Sequence, residues 1–598
     1  MTISNLDWVI IAAFFIVSLA IGLAVSRRAG KSAQEFFLSG RNMPWWLLGV
    51  SMVATTFAID TPNLVTDIVR KNGVSGNWVW WAFLLTGMLT VFVYARLWRR
   101  SKVSTDLEFY ELRYSGRPAA FLRGFRALYL GFFFNVMIMA NVCLAAVKLG
   151  GIALGLSPLE TLLIASLVTV VYSSLGGLRG VLITDFVQFG LAMAGSVWAA
   201  YLIVSKPEIG GLGELLAHPN VSEKLRLLPD FSDSSMALSV FLVPLAVQWW
   251  SVWYPGAEPG GGGYVAQRML SAKNERHAIG ATFFFNIAHY ALRPWPWIII
   301  ALASLVVYPS IGDLGAAFPD VDPSILGDDL AYPAMLAFLP AGVLGLVIAS
   351  LVAAFMSTIS THLNWGSSYI VNDFYKRFID PSADEKAQVR VGRLSTALLM
   401  VCAGGVALVL DNALQSFNIL LSIGAGTGLI FILRWFWWRI SAMTEIAGMI
   451  VSFLVAVFFE FGYERLGFEP LQGHWQLIAS VAVTTVLWLT VTLLTPPTDE
   501  ETLRRFYREI RPSGPGWSKV QSALAREGVE LRVGPASESI PNGLLNFFVG
   551  SVSVYAALFG LGYVIYGSEA LGVSMLVLGA LGILFLLKRI QTKDTEGV

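Results

Sequence analysis

Four hydroxyl side chains fall within five residues of the stretch "AAFMSTISTHLNWGSSYIVNDFYKRF": Ser357, Thr358, Ser360 and Thr361. On an α-helix each residue advances about 100°, so these four and Ala354 share one side of the helix. Hydroxyl and carbonyl oxygens are hard ligands of the kind that suit a small alkali cation, and small residues let a partner helix approach closely. A single Ser or Thr in an apolar helix ordinarily bonds the carbonyl one turn earlier, and that bland use competes with ion binding at each position. A carboxylate, Asp185, stands about a turn and a half into the apolar helix of "GGLRGVLITDFVQFG". An ionisable group at such depth is costly and by default marks a site, the bland alternative being a helix-start anion or a partner for Arg179.

The elements that carry these groups are membrane-spanning. The chain has 598 residues, 56% hydrophobic and 14% charged, with mean hydropathy +0.65, far from the charge content of soluble domains. A bilayer core takes about 20 apolar residues as helix. That ruler yields 15 spans: 6–26, 44–69, 75–97, 120–153, 158–177, 180–204, 236–258, 278–307, 334–371, 390–410, 413–433, 441–461, 474–495, 543–566 and 569–588. The first is too long for a signal peptide and is expected to remain as a helix. Lys and Arg concentrate in alternate connections, including Arg27, Arg28, Arg99, Arg100, Arg268, Lys376 and Arg434, while 308–333 has acids and no base. The bias predicts an external N-terminus and a cytoplasmic C-terminus, with Arg70 and Lys71 as exceptions.

Two spans are interrupted. Asp60, Thr61, Pro62 and Asn63 break the second near its middle, and "YPGAEPGGGG" ends the seventh. Backbone groups freed at such breaks cannot face lipid and must line an enclosed, water-accessible cavity. Broken helices at matching places, each opening a group of five spans, point to an inverted-repeat secondary transporter.

Other features exclude more than they assign. The net charge of +1 gives no reason to expect nucleic acid, and Cys143 and Cys402 read as packing residues. No GxxxxGK loop suggests direct use of ATP, and no nucleophile–base pair suggests an enzyme. Residues 496–541 read as a solvated linker, with "DEETLRRFYREIRP" as a possible surface helix. Tryptophans 45, 46, 295, 297, 435, 437 and 438 read as an interfacial belt, whereas Trp78, Trp80, Trp81 and Trp253 lie nearer the predicted cavity. His289 reads either as a partner for a neighbouring helix or as a donor to a solute hydroxyl.

"FFLSGRNMPWW" (36–46), "SSLGGLRGVLITDFVQF" (173–189), "YVAQRMLSAKNERHA" (264–278) and the hydroxyl-rich stretch together resemble the sodium:solute symporter family. The resemblance implies an all-α integral membrane protein with the leucine-transporter-type 5+5 inverted repeat, one extra N-terminal and about four extra C-terminal helices. On that scheme 1–43 holds the extra helix and its link, 44–204 and 236–435 the two repeats, 205–235 an external loop, 436–495 additional helices, and 542–598 the last two. It implies a principal sodium site at the carbonyls of Ala54, Phe57 and Ala354 with the hydroxyls of Ser357 and Thr358. A second sodium site, found in some members, falls on Asp185, Ser357, Ser360 and Thr361. Solute positions fall on Thr56, Thr61, Asn77, Ser251, Tyr254, His289 and Asn418. His289 stands where sugar carriers have lysine. The expected activity is Na+-coupled uptake of a small polar solute, first a monosaccharide or related sugar, across a cell membrane. Amino-acid or carboxylate symport, proton coupling through Asp185 or His289, and a transporter-like sensor are the alternatives.

Overall fold

The computed structural model describes residues 3–150, 156–251, 258–319, 326–409, 424, 426–529 and 539–591. Among them ten helices are long and apolar enough to cross a membrane, and four shorter apolar helices accompany them. These fourteen match the expected spans one for one, and the remaining span, 413–433, falls mostly outside the described residues.

Helix α1 (Asn5–Ala29) precedes a helix in two halves, α2 (Trp45–Thr55) and α3 (Thr61–Asn72). Pro62 sits in the first turn of α3, where its missing N–H is harmless, so the restart follows the sequence break. α4 (Val74–Ser101) and α5 (Gly116–Val147) follow. α6 (Pro158–Val204) opens on a capping box between Ser157 and Glu160 and merges two expected spans across a kink at Gly177. Gly177 has φ +53°, and a Cβ there would lie 2.7 Å from the Phe36 carbonyl oxygen, so the kink needs glycine on both counts.

The second broken helix comprises α7 (Ser234–Ala246) and α8 (Gly263–Ser271), with 252–257 between them outside the described residues. α9 (Glu275–Val307) contains a π-helical turn over Ala288–Leu292, and α10 (Val343–Tyr369) carries the hydroxyl cluster. Then come α11 (Glu385–Ala407), α12 (Gly428–Leu433), α13 (Ala442–Val457) and α14 (Gly473–Leu494). α10 runs through the centre: Ala353 to Tyr369 are all buried, and its main neighbours are α6, α1 and α11.

Three expectations are corrected. The 263–271 segment, treated as a charged connection because of Arg268, is a buried half-helix with Arg268 0% exposed. Residues 496–529 are no solvated linker: α15 (Glu500–Ile510) and α16 (Ser518–Arg526) bury Leu503, Phe506 and Ile510 against Phe109, Trp435 and Trp517. An amphipathic helix with every apolar residue on one side hides that side wherever a partner exists. Third, Trp295, Trp297 and Trp435 are core residues, while Trp45 and Trp46 are exposed as a belt requires. The exceptional Arg70 is explained, since it pairs with Asp328 at 2.7 Å and so shares a face with the acidic loop. Helices α17 (Ile540–Ile565) and α18 (Glu569–Gln591) pack on each other, and α17 also touches α4 and α9.

Candidate functional site

At the break between α2 and α3 the chain leaves helical geometry after Thr55 and resumes at Thr61. Ala54 and Phe57 are buried, and the Phe57 N–H tightens the end of α2 by donating to the Ala54 carbonyl at 3.1 Å. Across from it, Thr358 donates to the Thr55 carbonyl at 2.9 Å, joining α10 to the last turn of α2. Ser357 turns the other way and donates to Asp185 at 2.7 Å. Ser360 bonds back to the Ser357 carbonyl at 3.1 Å, the bland pattern. Thr361 meets Thr55 Oγ1 at 3.0 Å. All four hydroxyls are buried, as is Ala354.

The second cluster holds a residue that sequence reasoning misassigned. Asp185 accepts from Ser51 at 2.5 Å and from Ser357, and Arg268 of α8 stands 3.9 Å away. The Arg268 guanidinium also donates to Thr361 at 2.7 Å and to Ser51 at 3.1 Å. Asp185, Ser357 and Thr361 therefore do converge, around a guanidinium. Its signal in the sequence was an arginine inside "GGGGYVAQRML", whose neighbours are apolar enough to be buried.

A cavity of about 220 Å³ lies beside the break, lined among others by Thr56, Thr61, Trp80, His289, Arg293 and Thr358. It extends along α3 to Leu64 and Ile68, and Asp60 and Leu64 are exposed, so this end opens to the surface. Thr56 and His289 are bonded at 2.9 Å. Thr56 gives its own proton to the Val53 carbonyl at 2.9 Å, so its oxygen accepts from both His289 Nδ1 and Arg293 Nη1 (3.0 Å). His289 Nε2 is then left as the acceptor facing Arg293 Nη2 at 3.4 Å, which fixes a neutral imidazole tautomer. Of the two roles considered for His289, inter-helix bonding is met; the ring also lines the cavity, but its one N–H is spent on Thr56 and leaves no donor for a solute hydroxyl.

The remaining solute positions divide. Thr61 lines the cavity and accepts from the Ala58 N–H at 3.2 Å. Asn77 does not line it; its amide donates to the Val74 carbonyl and its oxygen holds the Trp80 indole N–H at 2.8 Å, aiming that ring. Ser251 is buried away from the lining. Tyr254, Trp253 and Asn418 lie outside the described residues. Sequence reasoning missed Arg293, Asn141 and Gln248, which complete the polar wall.

A second buried cluster of charged groups lies apart from the cavity lining. Glu258 pairs with Arg126 and, at 3.4 Å, with Arg434; Glu445 lies 3.8 Å from both arginines and accepts from Tyr114 at 2.5 Å. These five buried ionic or polar side chains, Glu258, Arg126, Arg434, Glu445 and Tyr114, depend on one another, since removing one partner would strand a buried charge.

A cavity beside the break of α2–α3 and reaching Gln248 before the second break, with buried hydroxyls next to it, is the arrangement expected of an ion-coupled secondary carrier. The model of the sodium:solute symporter family matches residues 36–452. The chain is 26% identical over 481 residues to the sodium/glucose cotransporter of Vibrio parahaemolyticus, covering 77% of this chain and 86% of that protein. It is 24% identical over 502 residues to the sodium/sialic acid symporter of Proteus mirabilis, covering 81% and 95%. A solved substrate-bound, outward-open Na+-coupled sialic acid symporter superposes with TM-score 0.65 at 21% identity, over 83% of this chain and 99% of that one. The chain belongs to the sodium:solute symporter family. Its fold is the leucine-transporter type, and it is a multi-pass membrane symporter that uses Na+.

Proposed function

We propose that this symporter imports a small polyhydroxylated solute, a monosaccharide or related sugar, coupled to sodium bound between the break of α2–α3 and α10. The observation that carries the reading is the Thr358–Thr55 contact, because Thr358 belongs to the hydroxyl cluster and to the cavity wall at once. Sodium held by the carbonyls of Ala54, Phe57 and Ala354 and the hydroxyls of Ser357 and Thr358 would tie the two helices together beside the solute. Ser357 would rotate from Asp185 to complete that set. Whatever sodium does to the solute's affinity, the solute does in return to sodium's. Each sodium moving inward through about 100 mV gains roughly 2.3 kcal/mol from the electrical term.

On this reading the Leu64 end faces outside and the Glu258–Arg434 cluster faces the cytoplasm, with the N-terminus external and the C-terminus internal. The basic connections and the Arg70–Asp328 pair support that orientation. The Asp185 cluster holds a tethered cation, Arg268, in this conformation, so a single sodium drives transport. The cavity's Thr61, Asn141 and Gln248 offer neutral donors and acceptors for hydroxyls, and Trp80 an aromatic face for a sugar ring. No catalytic role is assigned. Uptake of radiolabelled sugars into proteoliposomes, with and without an inward sodium gradient, tests the proposal: accumulation only with the gradient is expected, and equal uptake without it would overturn sodium coupling.

A further inference from the structure

Arg293 is 2% exposed and lines the solute cavity. Its Nη1 donates to the Thr56 hydroxyl, its Nη2 faces the neutral His289 ring at 3.4 Å, and its Nε–H is buried with no hydrogen-bond partner among the described residues. The guanidinium lies over the Trp297 ring at 5.2 Å. Every contact is to a neutral group, and among the described residues no carboxylate lies within ion-pair reach of it. Five other buried arginines, Arg70, Arg123, Arg126, Arg268 and Arg434, each have a carboxylate within 4.0 Å, and buried Arg113 spends its guanidinium on the backbone carbonyls of Arg434, Trp437 and Trp438 and does not line the cavity. A guanidinium cannot shed its charge as a histidine or lysine does, and a buried charge is normally paired. Arg293 instead lines a cavity in which Asp60 is the one lining carboxylate and makes no ion pair with it.

We infer that the solute itself supplies the missing anion: the transported molecule is an acidic sugar, a polyhydroxylated carboxylate whose carboxyl group pairs with Arg293 while its hydroxyls meet Thr61, Gln248 and Asp60. This rests on the cavity being the solute site. A planar guanidinium binds a carboxylate side-on through Nε–H and one Nη–H; the unpartnered Nε–H is sealed from the open cavity here, so the pairing requires the Arg293 side chain to turn toward the solute. Asp60, on the exposed side of the same cavity, accepts hydrogen bonds from hydroxyls and disfavours a second negative group there, which orients the solute with its acid end inward. Trp80, fixed by Asn77, offers its ring to the C–H face between the two ends.

The test uses the purified full chain in nanodiscs, in chloride-free sodium Hepes, with equilibrium binding followed by ligand-induced thermal shift. Probes are D-glucuronate, D-galacturonate and N-acetylneuraminate, each beside its own methyl ester, which keeps the skeleton and removes the charge. At least one acid is expected to bind tenfold or more tightly than its ester, with Arg293→Gln erasing that preference and Arg293→Lys keeping part of it. A panel in which no acid exceeds its ester, including one in which nothing binds, overturns the inference without recourse to any variant. Chloride alone is a further arm: if it stabilises the protein through Arg293 and no acid is preferred, the anion is inorganic and the inference fails. Repeating the binding in potassium separates the two readings. Acid preference that persists without sodium spares Arg293 and removes sodium coupling, whereas sodium-dependent binding indifferent to charge does the reverse.

Discussion

Arg268→Gln should add a sodium to the transport cycle. In the wild type the guanidinium stands 3.9 Å from Asp185 and donates to Ser51 and Thr361, occupying the space between the oxygens expected to form a second sodium site. Two unit charges about 4 Å apart interact by about 4 kcal/mol at an effective dielectric of about 20. A sodium ion bound at Asp185 with Arg268 in place would meet repulsion of that order, a weakening of roughly a thousandfold at 1.4 kcal/mol per decade. Removing the guanidinium lifts the repulsion and leaves a buried carboxylate in need of a cation. Glutamine is uncharged and retains a donor for Ser51. The assay is the sodium dependence of initial uptake rates, together with the ratio of labelled sodium to solute taken up. The wild type is expected to show a Hill coefficient near one and Arg268→Gln one approaching two, the gain disappearing when Asp185→Asn is added. Sodium should also raise the melting temperature of Arg268→Gln more than that of the wild type. A wild type that already moves two sodium ions per solute, with no change in the variant, would refute the tethered-cation reasoning.

Two further outcomes follow from the polar surface and the docked hairpin. Phe506 is fully buried among Phe109, Trp435 and Trp517, so Phe506→Ala should cost about 3 kcal/mol of hairpin docking and expose 496–529 to hydrogen exchange; unchanged protection would contradict the docking. Burial opposes ionisation of Glu111, but hydrogen bonds from Arg377 and Arg123 outweigh it and hold this carboxyl below its ordinary value of 4.5. A depressed folded value means that the stabilisation is present above 4.5 and is lost as pH falls. The melting-temperature gap between wild type and Glu111→Gln, set by about 1 kcal/mol, should close as pH drops below that value, and a gap that widens would contradict it.

What could be read from the sequence was what local chemistry imposes. Pro62 and the run of glycines after Pro259 act by backbone rules: the first break falls where expected and α8 restarts at Gly263 after the glycines, although α7 already ends at Ala246, ahead of the expected break. The one-sided placement of Ser357, Thr358, Ser360 and Thr361 follows from helix geometry, and all four are buried. What could not be read was partnership across the fold. Arg268 looks like any base in a charged connection until α8 is packed beside α6 and α10, where it meets Asp185 and Thr361. Arg293 directly follows Tyr290, Ala291 and Leu292, and only the packed fold reveals that no carboxylate pairs with it among the described residues. Asn77 carries the right chemistry for a solute contact but spends it on Val74 and Trp80, a choice made by a turn that composition does not show. The linker reading of 496–529 failed for the same reason, because an amphipathic helix is solvated or docked according to a surface elsewhere in the chain.

The central claim is that sodium bridges the α2 break and α10. Equilibrium binding of labelled sodium to the purified protein, compared between wild type and Thr358→Val, tests it most directly, since valine keeps the shape and removes the oxygen. Loss of a buried ligand to a charged ion costs about 1.5–3 kcal/mol, so sodium affinity should fall by tenfold or more. An unchanged binding curve in a folded Thr358→Val protein would contradict the claim.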